Sequence, residues 1–183
     1  MAEHPDPPHP PPAHLVQFVA ELSEAEHALD LGCGDGRLTA KLRANAVTAA
    51  DVSQVALRRA AARLPGAEIA SLVPDEPLPF VDGEFELVLC TETIEHVRDV
   101  QLFLSEIRRV LRPGGGLALT TPDHGRRTAL RILRGGFDSE FDPLSPHLRF
   151  FTRRSLERLL DAMGFTIESM RRRSGTLLVR ANR

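Results

Sequence analysis

A chain of 183 residues, 42% of them hydrophobic, is long enough to bury about two-thirds of its unfolded surface within one domain. A formal net charge of −2 gives no bulk attraction to nucleic acid or a membrane surface, and no apolar run approaches the ~18 residues of a membrane span. Cys33 and Cys90 form no CxxC and suggest no disulfide framework, and with no signal-peptide pattern the expected setting is reducing and cytoplasmic.

Residues 1–13 hold six prolines and no apolar period, which predicts a disordered or polyproline II tail ahead of a single domain over 14–183. His4 and His9 there, with His14 just after, suit a solvated leader better than a metal tract. Leu15 to Leu22 reads as a short amphipathic helix. Ala28 and Leu29 then lead into Asp30 and three glycines at alternate positions, Gly32, Gly34 and Gly36. Such a run marks a strand end turning sharply into a helix, expected over Arg37 to Ala44, with backbone open to a small ligand. Ala46 to Asp51 reads as the next strand, and Asp51 falls nineteen residues after Gly32. An acidic side chain about 20 residues past a glycine turn is where doubly wound folds bond ribose hydroxyls.

Ser53 can cap a helix running through Leu64, stopped by Pro65-Gly66. Ala67 to Ser71 suits a short strand, and a proline-broken loop follows it. Phe85 to Cys90 is a near-continuous apolar strand of the kind buried on both faces. Asp99 begins a helix with apolar positions 100, 103, 104, 107, 110 and 111, ended by Arg112-Pro113-Gly114. Gly116 to Thr121 is a strand, and residues 122–147 form a long, poorly patterned connection suited to a lid or substrate loop. A last helix starts at Thr152 or Ser155, and Thr166 to Met170 with Thr176 to Ala181 form a terminal strand pair. Strands alternating with helices imply an α/β fold with a parallel sheet covered on both faces.

Just past the strand ending at Cys90, Glu92, Glu95 and His96 occur at i, i+3 and i+4, so a helical turn would set them on one face. Open parallel sheets place ligands at such strand ends. His96, with a reference pKa of about 6.5, suits a general base; the alternative is that it braces the helix while Glu92 lines a pocket. Charge is uneven: residues 120–183 carry 13 basic and 7 acidic side chains. Arg126, Arg127, Arg131 and Arg134, with Arg171 to Arg173, suit either a phosphate-bearing partner or a solvated face. With no Trp or Tyr, only phenylalanines such as Phe137, Phe141, Phe150 and Phe151 offer base stacking, so RNA is the less favoured partner.

The stretches DLGCGDG, ADVS, LPFVDGEFELVLCTETIEHVRD and RRVLRPGG, in that order, resemble the S-adenosylmethionine (SAM) site of the class I methyltransferases. The likeness runs from Ala28 to Gly116, with a weaker tail at HLRFFTRRSLERLLDAMGF, and the glycines do not follow GxGxxG. It implies a Rossmann-like, doubly wound, mostly parallel seven-stranded sheet with helices on both faces and an antiparallel last strand. By the same resemblance Asp30, Gly32, Cys33 and Gly34 hold the methionine end of SAM, and Asp51 the ribose. Val52, Ser53 and Asp75 border the adenine, while Cys90, Thr91 and Glu92 lie under the sulfonium.

The activity so implied is methyl transfer to a small metabolite, at oxygen, with His96 and Glu95 as catalytic residues and no membrane partner; the oligomeric state stays open. The E-x-x-E-H cluster also resembles ubiquinone-biosynthesis O-methyltransferases and small-RNA 2′-O-methyltransferases. Glu92, Glu95, His96 and His147 could there hold a divalent metal, an alternative not preferred. A non-catalytic SAM-binding scaffold or regulatory subunit is the third reading.

Overall fold

The computed structural model describes residues 10–139, 141 and 145–183. Its elements run α1 (Ala13–Ala20), β1 (Ala25–Leu31), β2 (Ala44–Asp51), α2 (Gln54–Arg63), β3 (Glu68–Ser71), β4 (Phe85–Thr91), α3 (Val100–Val110), β5 (Leu111–Pro122), α4 (Arg126–Gly135), α5 (Arg153–Ala162), β6 (Thr166–Arg173) and β7 (Thr176–Asn182). The strands form one seven-stranded sheet in the order β3-β2-β1-β4-β5-β7-β6. Its first five members pair in parallel, and β7 runs antiparallel to both neighbours. The Rossmann-like expectation, including the antiparallel last strand, is met.

β4 shows why its sequence is apolar throughout. Val88 and Cys90 pack with Ile94, Leu104, Ile107, Leu156 and Leu160 on one face, while Leu89 meets Leu15, Phe18 and Val19 of α1 on the other. Burying each large apolar side chain of this kind contributes roughly 1.5–3 kcal/mol. The helices begin where the sequence provides caps. Ser53 Oγ accepts from Ala56 N at 3.3 Å, Asp99 Oδ1 accepts from Gln101 N and Leu102 N at 3.0 and 2.9 Å, and Thr152 and Ser155 cap each other reciprocally.

The helix expected over Arg37 to Ala44 is replaced by a single 3₁₀ turn, Thr39–Lys41. Length is the reason. The seven residues of β1 span roughly 23 Å, which an α-helix rising 1.5 Å per residue would need about fifteen residues to retrace. Only residues 32–43 are available, so the chain finishes the return extended, through Leu42 with ψ 142°.

Other boundaries move as well. α1 begins at Ala13, one residue inside the expected tail, while residues 1–9 of that tail lie outside the described residues. Arg112 to Gly115, expected only to stop α3, lie within β5 as an irregularity: Phe85 pairs with Leu111, and Leu87 next with Gly116. The connection over 122–147, which looks unpatterned, contains α4 and a 3₁₀ turn, Phe137–Ser139. Arg109 binds the loop before β4, donating to the Leu78 and Phe80 carbonyls at 3.0 and 2.8 Å and to the Asp82 carboxylate at 2.8 Å.

Candidate functional site

β1 ends at Leu31, and the Gly32 and Cys33 amides donate to the Ala50 carbonyl at 2.8 and 3.0 Å, tying the first turn to β2. Gly32 sits at φ +84°, and a Cβ there would lie 2.3 Å from Thr93 Oγ1, so a side chain is excluded both by conformation and by the loop after β4. Gly34, at φ +56°, has nothing within 4 Å of where its Cβ would be. Its amide donates to Asp51 Oδ2 at 2.9 Å, while Ser53 N donates to Oδ1 at 2.8 Å. Each oxygen of Asp51 is thus aimed by one backbone bond, and each keeps lone-pair capacity for a further donor.

Beneath this turn Asp30 is buried at 1% exposure, with Oδ2 accepting from Thr39 Oγ1 at 2.6 Å. Its Oδ1 is buried and has no hydrogen-bond partner among the described residues. Burial pushes the Asp30 carboxyl up to about 7, against the opposing bond from Thr39 and with a further push from Asp51. The Cys33 and Cys90 thiols are raised as well, chiefly by burial, so neither is a poised thiolate nucleophile.

A cavity of about 520 Å³ opens over the carboxyl ends of β1, β2 and β4. Gly32, Asp51, Asp75, Glu92, His96 and Leu148 are among its lining residues, with Glu92 and Thr93 beside the Gly32 turn. Asp75, itself left-handed at φ +62°, pairs with Arg98 at 3.4 Å beside it.

The expected helical turn carrying Glu92, Glu95 and His96 is a 3₁₀ turn, Ile94–His96, entered through Glu92 at φ +49°. A left-handed non-glycine residue costs of order 1 kcal/mol, and here the end of β5 holds it. Glu92 N donates to the Thr120 carbonyl at 3.1 Å, and Thr120 Oγ1 donates to Glu92 Oε1 at 2.8 Å. Burial raises the Glu92 carboxyl to about 7, with the Thr120 bond opposing.

Glu95 turns the other way. Its Oε2 accepts from Thr121 Oγ1 at 3.0 Å, its carbonyl accepts from Leu148 N and Arg149 N at 2.8 and 3.0 Å, and its Oε1 is buried and unpartnered among the described residues. Burial raises its carboxyl too. By holding the segment before α5, Glu95 brings His147 against His96, ring centroids 4.9 Å apart. His96 Nδ1 lies 3.0 Å from the Pro146 carbonyl, which can only accept. The proton therefore sits on Nδ1, and Nε2 carries the lone pair of the neutral ring.

Ligand atoms of Glu95, His96 and His147 lie within 4.8 Å of one another, a carboxylate–bisimidazole set that suits a divalent transition ion. Glu92, expected as a fourth ligand, stands outside that group.

Of the residues singled out in the sequence, Gly32, Asp51, Val52, Asp75, Glu92 and His96 line the cavity. Asp30, Cys33, Gly34 and Ser53 build the turns at its base. Cys90 is fully buried in the core, and Thr91, at 8% exposure, is not among the cavity-lining residues. Sequence reasoning missed Thr120, Thr121 and Pro146. The first two close a parallel strand, the position that should have flagged them. Pro146 acts through its carbonyl alone, which no pattern signals.

A methyltransferase-domain family matches residues 9–170. A protein of Mycolicibacterium smegmatis named "Probable S-adenosylmethionine-dependent methyltransferase" is 32% identical over 84% of this chain and 57% of its own length. The malonyl-[acyl-carrier protein] O-methyltransferase of Methylococcus capsulatus is 33% identical over 86% of this chain and 53% of its own. The chain thus spans about half the length of the curated relatives it matches. Among solved structures, a SAM-dependent methyltransferase from Aquifex aeolicus superposes with TM-score 0.70 at 19% identity, covering 92% of this chain and 88% of that one. The [4+2]-cyclase SpnF superposes with TM-score 0.75 at 20% identity, covering 93% and 80%. These last likenesses concern the fold.

Proposed function

This chain belongs to the SAM-dependent methyltransferase family, and on that premise we propose that it moves the methyl group of SAM to an oxygen of a small metabolite, with His96 as general base. SAM brings a sulfonium-bound methyl group already activated toward a nucleophile. What remains for the protein is to hold the donor, align the acceptor and take its proton. One observation carries the reading: Gly32, Asp51, Glu92 and His96 line a single cavity.

The residues present suit SAM at both ends. The unpartnered Oδ1 of Asp30 and the open backbone at Gly34 fit an α-amino acid, since a buried carboxylate oxygen without a donor calls for a cationic one. Asp51 has the spare acceptor capacity that ribose hydroxyls need. On the same cavity His96 offers Nε2 to an acceptor hydroxyl, its ring fixed by the Pro146 carbonyl. Glu95 acts as a positioning residue, holding the backbone that carries Pro146 and His147. The relative named a malonyl-[acyl-carrier protein] O-methyltransferase supports oxygen as the atom methylated.

A second reading has an observation of its own. The set formed by Glu95, His96 and His147 would let a divalent ion lower the pKa of an acceptor hydroxyl, as in a metal-assisted RNA 2′-O-methyltransferase.

Transfer of tritiated methyl from SAM, screened against a metabolite extract and total RNA, separates these readings. Label in a small metabolite, lost by at least tenfold in His96→Gln with SAM affinity retained, is the expected result. Label in RNA alone supports the metal-assisted reading, and label in neither fraction supports the scaffold.

A further inference from the structure

α4 has no part in the site just described, yet its composition is unusual. RRTALRILRG carries Arg126, Arg127, Arg131 and Arg134 and no acidic residue; Asp138, Glu140 and Asp142 follow the helix rather than interrupt it. Thr128 is buried, while Leu130 and Leu133 are 46% and 83% exposed. At 100° per residue, those two leucines and Arg126 lie on the side opposite Thr128, with Arg134 flanking them. Leucine that exposed, set among arginines, is a poor surface for water and a good one for a bilayer interface.

The patch continues past the helix. Phe137 is 63% exposed, and the rings of Phe137, Phe141 and Phe150 follow one another at centroid separations of 4.3 and 4.5 Å. Phe150, 41% exposed, stands two residues after Leu148, which lines the cavity. An exposed aromatic row therefore continues from α4, with arginines on the helix and Asp138, Glu140 and Asp142 between its phenylalanines.

We propose that α4 and the phenylalanines after it lie on an anionic bilayer surface, Leu130 and Leu133 entering the headgroup boundary and Arg126 and Arg134 meeting lipid phosphates. The overall charge of −2 conceals this, because α4 carries four of the chain's 23 basic residues and no acidic one. No described helix is long and apolar enough to cross a membrane, so the contact is peripheral. RNA would also answer the arginines and could stack on Phe137, but it leaves protruding Leu130 and Leu133 without a partner; an acidic protein is left as an outcome of the test. The inference does not depend on the methyl-transfer reading, and its test needs no acceptor.

Flotation of the full chain with vesicles tests it, using phosphatidylcholine alone or with about one-third phosphatidylglycerol. The chain is expected to float with the anionic vesicles, at least tenfold more than with neutral ones, and to be released by salt. Leu130→Ser with Leu133→Ser should abolish flotation, and Arg126→Gln with Arg134→Gln should lower the partition coefficient about 30-fold. Both double variants change exposed side chains, and unaltered melting temperatures would confirm that the fold is intact. Equal flotation with both vesicle types, unchanged flotation of either variant, or a chain that stays in solution while binding RNA or an acidic protein would each overturn the proposal. A helix that merely closes over a soluble acceptor would alter KM in these variants and leave vesicles unbound, which overturns it equally.

Discussion

Asp30 supplies the most discriminating pH experiment. Its carboxyl titrates near 7 because it is buried, whereas in the unfolded chain it would return to about 3.8. The empty fold thus holds a proton that the unfolded chain has released between those pH values. Its stability is therefore greatest below about pH 4 as far as this group is concerned, and up to about 4 kcal/mol is lost as pH rises to 7.

Binding runs the opposite way. If Oδ1 of Asp30 receives the cofactor's ammonium, only the ionised carboxylate binds it well, and the ionised fraction rises about 50-fold between about pH 5 and pH 7. The ligand's ammonium, an amino-acid amine beside its own carboxylate, stays protonated through this range, so affinity should rise and level off above about pH 8. Calorimetry with S-adenosylhomocysteine, in buffers of different ionisation enthalpy, would read both the affinity and the proton released on binding. Asp30→Asn should bind weakly and with a flat profile below pH 7, which separates Asp30 from Glu92, a group raised to a similar value. An affinity that varies less than twofold between about pH 5 and pH 7, or a slope that survives in Asp30→Asn, would refute the reasoning.

Two further outcomes follow from the same geometry. Gly32→Ala must place a methyl against Thr93 Oγ1 in a left-handed backbone, and should cost about 3 kcal/mol in a denaturant titration; a loss below about 1 kcal/mol would mean that the turn gives way easily. Chelator should leave turnover unchanged under the metal-free reading. Turnover that falls with chelator, returns with manganese and is absent from His147→Ala would establish the metal-assisted one.

Much of the fold was legible because local chemistry and tertiary demand agree in it. The unbroken apolar run of β4 is read as a strand buried on both faces, and the capping residues Ser53, Asp99 and Thr152 each begin the helix they announce. The segment after the glycine turn misleads because a good local helical pattern there meets a tertiary constraint, too few residues to retrace β1 as a helix. α4 escaped notice because its apolar and basic residues interleave on the exposed side rather than face a core.

The site divides in the same way. Spacing alone points to Gly32, Asp51 and His96 at the cavity, since each stands at or just past a strand end. Helical spacing wrongly groups Glu92 with Glu95. The left-handed backbone at Glu92 sends the two carboxylates to different threonines of β5, and nothing in the local sequence marks that conformation.

The account rests on Asp51 holding the ribose of an adenosyl ligand, and titration of S-adenosylhomocysteine into the full chain and into Asp51→Ala tests this most directly. The account predicts saturable binding at one site, weakened about 100-fold in the variant by the loss of two charge-assisted hydrogen bonds. No uptake by well-folded protein, or equal affinity for the two chains, would contradict it.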